Sequence, residues 1–438
     1  MPLRIMVMGL NYAPEPTGIA PYTTGTARFL ADAGHDVHVV TGLPHYPRWE
    51  ITPAYRGLRR SVVCERDGDI RITRVAHPVP TDPTGVGRVT MEAAFALRAA
   101  RVRVPRPDVV LAASPALLTV AAALRRRSPG RTAVGVIPQD LYGHAIVEAQ
   151  ALGGRAAGAA ARLERALLRR ADGVVAIHSS FHRSLVDLGV DERRITTIRN
   201  WAHVEPVTAG ADELLRLRRE LGWRDDEVVA LHAGNMGAKQ GLENVVQAAR
   251  IADATGAAVR FVLLGTGNQR ARLERLGVGV ERLQFLDPLP SGRFERAMAA
   301  ADVLVLNEKP GVEEMCVPSK LTSYFTAGRP VVAATGRRSP AASEIAVSGG
   351  GVRVGPGVPE DLLRAVLRVG LDPTGAAATG RCGQSFAREA LSETTARAAY
   401  LAWVDGLARR RGTGPVNIPA PREAPETARR AAVAEEAS

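Results

Sequence analysis

Short apolar segments alternate with helical segments along this chain, and the whole alternation occurs twice. The first series begins with RIMVMGL (4–10) and ends with RITTIRN (194–200), and the second runs from EVVALHAGN (227–235) to GVRVG (351–355). Continuous apolar strands that alternate with helices are typical of parallel sheets buried on both faces. The sequence therefore predicts an α/β chain with two Rossmann-like βαβ domains.

The boundaries of the two domains follow from the segments that interrupt the alternation. WAHVEPVTAG (201–210) is polar and contains Pro and Gly, so we place the first domain at 1–204 and the second at 205–384. Residues 385–410 are predicted to form one long helix, and 411–438, without aromatic residues, a disordered tail. We expect a ligand in a cleft that both sheets face with the carboxyl ends of their strands.

The composition excludes several classes of protein. Of the 438 residues, three are cysteines (Cys64, Cys316 and Cys382), and their wide spacing predicts neither a disulfide framework nor a zinc site. The short apolar run at the amino terminus does not resemble a signal peptide, and no membrane-spanning segment is predicted. Aromatic residues make up 4%, and nucleic-acid binding is not expected. These features favour a cytoplasmic protein.

The formal net charge of +12 leaves two interpretations open. A GC-rich genome favours arginine, whereas a basic face could bind anionic lipid or nucleotide. Apolar and arginine positions interleave in FALRAARVRVPR (95–106) and RLERALLRR (162–170). This pattern suits peripheral docking at the inner face of an anionic membrane, and it equally suits covering helices with solvated arginines.

Glycine-rich turns follow several of the predicted strands. Backbone amides at such turns, where a helix starts, can bind phosphate. Lys239 lies within the second-half turn HAGNMGAKQG and could meet a diphosphate or remain a solvated loop lysine. The first loop, NYAPEPTGIAPYTT, lacks GxGxxG, which disfavours a nicotinamide-dependent dehydrogenase. The glycines of these turns are Gly18, Gly234, Gly237, Gly241, Gly265 and Gly267.

The segment VPSKLTSYFTAGRPVVAAT places a lysine in the first turn of a predicted helix. Pro318 favours a helix start, Ser319 can cap it, and Lys320 adds a full positive charge. Because the helix dipole disfavours a cation at this end, an anion bound there would explain the lysine. The alternative is a capped helix with a surface lysine.

Asp67-Gly68-Asp69 has the form of a metal-binding DxD sequence. Its position between two strand patterns instead predicts a turn, since Asp-Gly is a strong turn signal. No other cluster with metal-ligand spacing is found, so neither a metal nor another cofactor is expected.

Seven segments, spread in order over about residues 3–405, carry a further signal. They are NYAPEPTGIAPYTT, GHDVHVVTGLPHYP, IPQDLY, ITTIRNW, LHAGNMGAKQGLENVVQAA, LLGTGNQR and VPSKLTSYFTAGRPVVAAT. Together they resemble family four of the retaining glycosyltransferases, which have the GT-B fold. The resemblance is closest to the bacterial branch that includes the colanic-acid fucosyltransferase and the N-acetyl-fucosaminyltransferase of surface polysaccharides.

The resemblance implies a division of labour between the domains. The first domain is expected to bind the acceptor and the second the nucleotide-diphosphate sugar, and the final helix to cross back onto the first domain. Gly18 should approach the transferred sugar, while Lys239 and Lys320 should contact the diphosphate, with Asn235 in the same glycine turn. The family further implies retention through a front-face attack without an enzyme nucleophile, and catalysis without a metal.

The chain also departs from the family pattern. Many relatives carry two glutamates eight positions apart, and the corresponding residues here are Met315 and Ser323. Ser323 is therefore expected as a weaker substitute for the ribose contact. Gln139 and Asn200 are expected to contact the acceptor or the sugar, and Asp140 to orient a hydroxyl, or else to cap the next helix.

We therefore expect a glycosyltransferase that acts on a polyprenyl-diphosphate-linked glycan. A soluble natural-product aglycone as the acceptor, and a non-catalytic sugar-nucleotide-binding protein, are the alternatives.

Overall fold

A computed structural model of the chain describes residues 1–16, 18–58, 62–81, 85–114, 116–141, 154–202, 204, 206–311 and 319–410. The predictions for Met315, Pro318 and the tail 411–438 lie outside these residues. The described chain forms two compact units. Unit 1 comprises Met1–Asn200 together with the chain from Thr394, and unit 2 comprises Trp201–Glu393.

An eight-stranded sheet forms the centre of unit 1 in the described chain, in the order β3-β4-β2-β1-β5-β6-β7-β8. Neighbouring strands are parallel except for the antiparallel pair β3 and β4, which turn at Gly68 as the Asp-Gly signal predicts. The strands are β1 (Arg4–Met8), β2 (Asp36–Gly42), β3 (Val62–Asp67), β4 (Ile70–Val75), β5 (Val109–Ser114), β6 (Ala133–Pro138), β7 (Gly173–Ala176) and β8 (Ile195–Thr197).

Helices cover this sheet because its central strands are apolar along their whole length. Every residue of β5 and β6 is buried, as expected for parallel strands covered on both faces. The helices are α1 (Ala20–Asp32), α2 (Gly85–Arg101), α3 (Leu117–Leu124), α4 (Gly154–Leu168) and α5 (Ser179–Asp187), with 3₁₀ turns at Pro53–Leu58 and Glu192–Arg194.

Unit 2 contains a parallel six-stranded sheet in the order β11-β10-β9-β12-β13-β14, within the described residues. Its strands are β9 (Val228–Ala233), β10 (Val259–Leu264), β11 (Leu283–Leu286), β12 (Val303–Asn307), β13 (Val331–Ala334) and β14 (Gly351–Val354). Its helices are α6 (Ala211–Glu220), α7 (Glu243–Thr255), α8 (Arg270–Leu276), α9 (Arg293–Ala300), α10 (Ser319–Thr326), α11 (Pro340–Ser348), α12 (Pro359–Gly370) and α13 (Pro373–Ala390).

Two apolar cores lie on the two faces of this second sheet, one around Tyr324 and Phe325 and the other around Val246 and Leu362. The prediction of an α/β chain with two parallel-sheet domains is therefore confirmed.

The single helix predicted over 385–410 is wrong, because the structure has two helices there. α13 ends before Leu391, and a separate helix, α14 (Glu393–Arg410), follows. Leu391 is buried and leaves helical geometry, and its carbonyl accepts a hydrogen bond from the Ala202 amide at 2.9 Å. That tertiary contact ends α13.

The crossing of the final helix back onto the first domain is confirmed, and α14 alone makes it. Trp403 and Leu407 pack directly on the strand backbone of unit 1. A Cβ added at Gly135 on β6 would lie 2.6 Å from the Trp403 ring, and one at Gly173 on β7 would lie 2.9 Å from Leu407. The guanidinium of Arg410 donates to the Asp172 carbonyl at 3.1 Å.

Candidate functional site

The turns after β9 and β10 touch each other through backbone atoms at the carboxyl edge of the unit 2 sheet. A Cβ added at Gly265 would lie 2.2 Å from the Gly234 carbonyl oxygen, and one at Gly267 would lie 2.4 Å from the Met236 carbonyl oxygen. Gly234 and Gly265 also have φ values of 118° and 130°, which side chains disfavour. These glycines are therefore required for the close approach of the two turns.

Lys320 reaches from α10 to the turn after β9. Its ammonium group donates to the Asn235 carbonyl oxygen at 3.3 Å, and its Cε would lie 3.3 Å from a Cβ at Gly234. The hydroxyl of Tyr324, one turn further along α10, accepts a hydrogen bond from the Ala233 amide at 2.8 Å. The structure thus brings the start of α10 and the glycine turn together. Such proximity is needed if both are to contact one diphosphate, as predicted.

Lys239 lies on a 3₁₀ turn, Ala238–Gln240, whose backbone is fixed from both sides. The Gln240 side chain accepts from the Gly237 amide at 2.9 Å, and the Lys239 carbonyl accepts from the Lys309 amide at 2.8 Å. Gly241 has a φ of 52°, and a Cβ there would lie 2.9 Å from Lys309 Cα. The Lys239 side chain is exposed on this fixed turn.

Two buried asparagines support the same turn, and the sequence analysis missed both. Asn307, at the end of β12, donates to the carbonyl oxygens of Gln240 and Gly241 at 2.8 and 2.9 Å. Asn244 in turn donates to the Asn307 side chain at 2.8 Å. A sequence signal was available for Asn307, because it is the polar residue that ends the otherwise apolar strand β12.

Two titratable side chains, also missed, lie within electrostatic reach of Lys320. Burial, and then the charge of Lys320, lowers the pKa of His232 to about 3, so its imidazole is neutral at neutral pH. Burial raises the pKa of Glu308. A hydrogen bond that its carboxylate accepts from the Thr335 hydroxyl, and the charge of Lys320, offset part of this rise. Of the remaining predicted residues in unit 2, Ser319 begins α10 and Ser323 is half-buried on it.

Unit 1 carries a cavity of about 220 Å³ at the carboxyl edge of its own sheet. Of the predicted residues, Gly18 and Asp140 line it. Gly18 has a φ of 73°, and a Cβ there would lie 2.9 Å from the Tyr46 ring. The other lining side chains, which the sequence analysis did not single out, include Asn11, His45, Tyr46, Trp49, Arg88 and Glu92.

Gln139 and Asn200 form a reciprocal pair beside this edge. Both are buried, Asn200 donates to the Gln139 side-chain oxygen at 2.8 Å, and Gln139 donates back at 3.4 Å. Their amides are thus engaged with each other in this structure, and the sugar contact predicted for them stays a prediction.

Among the described residues, no group of three His, Cys, Asp or Glu side chains could hold a metal ion. In the same part of the chain, no helix is long and apolar enough to cross a membrane.

Comparison with known proteins agrees with this architecture. Residues 17–201 match the family described as "Glycosyl transferase 4-like domain", and residues 227–372 match "Glycosyl transferases group 1". The chain is 29% identical over 340 residues to the Escherichia coli (strain K12) protein described as "Putative colanic acid biosynthesis glycosyl transferase WcaI". The match covers 74% of this chain and 82% of that protein.

Two further proteins are similar to the chain. The 2-deoxystreptamine glucosyltransferase of Streptomyces kanamyceticus is 29% identical over 231 residues, which are 51% of this chain and 58% of that protein. The solved structure of Anabaena Alr3699/HepE in complex with UDP matches with a TM-score of 0.63 at 16% identity, over 92% of this chain and 100% of that one.

Two Rossmann-like units and the two matched families together define a glycosyltransferase with the GT-B fold. The chain belongs to family four of the glycosyltransferases and is related to its colanic-acid branch. The family resemblance predicted from the seven sequence segments is confirmed.

Proposed function

We propose that the protein is a retaining, metal-independent glycosyltransferase that moves a hexosyl or N-acetylhexosaminyl group from a nucleotide-diphosphate sugar. The acceptor is a hydroxyl of a polyprenyl-diphosphate-linked glycan in cell-surface polysaccharide biosynthesis. The relation to WcaI, a protein of colanic acid biosynthesis, supports this acceptor class. A lipid-linked acceptor places the enzyme at the cytoplasmic face of the membrane.

The observation that carries the proposal is the contact of Lys320 with the Gly234–Asn235 turn. The amino end of α10 provides donors and partial positive charge there for a diphosphate. Lys320 adds a full charge, and Lys239 lies on the adjacent fixed turn. That HepE, a protein of the same fold, is found with UDP supports a uridine diphosphate donor.

The proposed roles of the site residues depend on where negative charge develops during sugar transfer. As the bond from the sugar to the diphosphate breaks, negative charge grows on the leaving oxygens, and fixed cations and amides stabilise that charge most in the transition state. In this proposal Lys320 and Lys239 stabilise the leaving diphosphate, Ser323 contacts the ribose, and Asp140 in unit 1 orients the acceptor hydroxyl.

A second candidate acceptor is a soluble aglycone. The 29% identity to a glucosyltransferase named for 2-deoxystreptamine favours this alternative. A third candidate, a non-catalytic binder of sugar nucleotides, is favoured by the serine at position 323.

The test is nucleotide release from a panel of UDP- and GDP-sugars. Each donor is offered with a polyprenyl-diphosphate-linked glycan fraction, with 2-deoxystreptamine, or with no acceptor, and Lys320→Ala serves as the matched control. Release stimulated by the lipid-linked fraction supports the proposal, and release stimulated by 2-deoxystreptamine supports the second candidate. Donor binding without release under any condition would assign the third.

A further inference from the structure

We propose that His45 contacts the acceptor in the unit 1 cavity, by accepting a hydrogen bond from a sugar hydroxyl at its Nε2 atom. Glu15 positions His45 for this contact. The inference rests on the proposed function and deepens it, because it names the chemical group that the acceptor presents.

The first observation is the way the two residues are joined. Glu15 is buried, and one of its carboxylate oxygens accepts from the backbone amides of His45 and Tyr46 at 2.8 and 2.9 Å. The other oxygen accepts from the Asn11 side chain at 2.8 Å. A buried carboxylate that accepts several hydrogen bonds fixes its partners. Glu15 therefore holds the backbone of the 45–46 turn against the loop after β1.

The second observation fixes the tautomer of His45. Its Nδ1 lies 3.0 Å from the Leu43 carbonyl oxygen and 3.4 Å from the Glu15 carboxylate. Both of these groups only accept hydrogen bonds, so the proton of a singly protonated ring lies on Nδ1, and Nε2 is then an acceptor. Among the described residues, no hydrogen bond to Nε2 is found. The ring lines the cavity, so a ligand group there can supply the donor.

The third observation concerns the surroundings of the ring. Trp49 lies edge-on to His45 with ring centroids 5.7 Å apart, and it also lines the cavity. His77 lies on another side at 4.9 Å, and its pKa is lowered to about 4 by burial and by His45, so it adds no charge at neutral pH. The charged groups that line the cavity are Arg88, Glu92 and Asp140. Arg88 and Glu92 form an ion pair at 3.3 Å, so these three groups carry one net negative charge, and Glu15 is a further buried carboxylate. This balance suits hydroxyls better than an anion.

These observations distinguish between acceptor groups. A sugar hydroxyl can donate to Nε2 and to the nearby carboxylates, whereas a phosphate at neutral pH carries negative charge that those carboxylates repel. The cavity therefore fits the terminal sugar of a glycan, and it does not fit a lipid phosphate that would itself be glycosylated.

The experiment measures binding of small probes through the fluorescence of Trp49. Full-length protein is titrated with methyl glycosides of glucose, galactose and N-acetylglucosamine, and separately with inorganic phosphate, with Trp49→Phe as the control for the signal. Saturable quenching by a methyl glycoside is expected, without competition from phosphate. In His45→Phe its affinity should fall about tenfold, the scale for loss of one hydrogen bond that leaves a polar partner unsatisfied.

Two variants separate this contact from a general structural effect. His45→Gln restores an acceptor oxygen and should recover part of the affinity. His77→Phe perturbs the neighbouring buried ring and should leave glycoside binding unchanged, and thermal melts identify any variant that fails to fold. In addition, the ring ¹⁵N shifts of His45, assigned by difference from His45→Phe, should show protonated Nδ1.

Every outcome decides between alternatives. Absence of glycoside binding to wild type, competition by phosphate, or unchanged binding in His45→Phe and His45→Gln overturns the inference. Nucleotide release from the same preparations, measured with the donors and acceptors of the panel above, tests the proposed function separately, because it needs no methyl glycoside. Nucleotide release without glycoside binding would contradict this inference alone. Absence of nucleotide release from every sugar nucleotide would contradict the proposed function.

Discussion

The ammonium group of Lys320 lies 3.3 Å from the carbonyl oxygen of Asn235. This hydrogen bond joins the first turn of a helix to a glycine turn 85 residues earlier in the chain. A carbonyl oxygen offers only a partial charge, so a diphosphate would compete effectively for the same ammonium group. The contact therefore marks a cation already held in place before the donor arrives.

Replacing Lys320 should lower turnover without unfolding the protein. We expect Lys320→Ala to reduce kcat by roughly 10²-fold or more, the scale for losing one strong electrostatic stabiliser. Lys320→Arg should recover little, because a planar fork replaces a compact charge. Steady-state nucleotide release measures the effect, and Lys309→Ala, an exposed lysine near the same edge, is the matched control. Normal turnover in Lys320→Ala would place the phosphate elsewhere, and Lys239→Ala would then be tested.

A methyl group at Gly265 should break the contact between the two glycine turns. Gly265→Ala places a Cβ 2.2 Å from the Gly234 carbonyl oxygen, so we expect a loss of more than about 3 kcal/mol of stability and loss of donor binding. Gly279→Ala is the control, since it also has a positive φ of 77° but nothing within 4 Å of the added atom. That variant should cost only about 1 kcal/mol. Equal losses in the two variants would mean that backbone strain alone, and no contact, decides the cost.

Acid should destabilise unit 2 through His232. The pKa of this imidazole is about 3 in the folded chain, against 6.5 for an ordinary histidine. Between these values the unfolded chain binds a proton that the folded chain does not, so stability is full above pH 6.5 and falls as the pH decreases. The slope for one such group is about 1.4 kcal/mol per pH unit.

Urea unfolding between about pH 7 and pH 5 measures this dependence. His232→Gln should remove the contribution of one proton from the slope, while His77, with a pKa of about 4 in unit 1, should continue to contribute. A slope that is identical in wild type and His232→Gln would show that His232 does not titrate in this way.

The exposed apolar residues of α2 should promote binding to anionic membranes. Val86, Val89 and Leu97 are 77%, 44% and 56% exposed, and exposed Arg101 lies on the same helix. α3 packs against both α2 and α4, which brings the two arginine-rich segments to neighbouring positions.

We therefore expect co-sedimentation with phosphatidylglycerol vesicles that weakens as salt is added, because exposed charges are screened. Leu97→Asp should reduce the bound fraction severalfold, since a carboxylate opposes both apolar burial and the anionic surface. Leu371→Asp, in unit 2, is the matched control because Leu371 is 68% exposed. Equal binding to phosphatidylcholine, or indifference to salt, would leave α2 as an ordinary covering helix.

The sequence predicted the strands and glycine turns of unit 2 because they obey local rules. VVAA at 331–334 forms the strand β13, since a short apolar run bounded by Pro and a polar residue has few alternatives. The turns after β9 and β10 were identified because parallel strands bring their carboxyl ends to one edge. That rule places the two turns at the same edge, but it does not predict their contact through Gly265.

Features that depend on distant contacts were missed. The apolar run that begins at Gly173 ends as a strand at Ala176, because the His178 side chain accepts from the Ser180 amide and starts α5. Similarly, no Gly or Pro marks the break between α13 and α14. Glu15 and His45 are 30 residues apart and meet only once β1 and β2 pair, so no local pattern could indicate them.

The packing of α14 on Gly135 and Gly173 has a consequence for biosynthesis. All of Trp201–Glu393 leaves the ribosome before the helix that completes unit 1 is made. Although domains usually fold in the order of synthesis, here the second unit can close its core first. Until residue 410 emerges, the β6–β7 surface stays uncovered on the nascent chain, and it is there that a chaperone would be expected to bind.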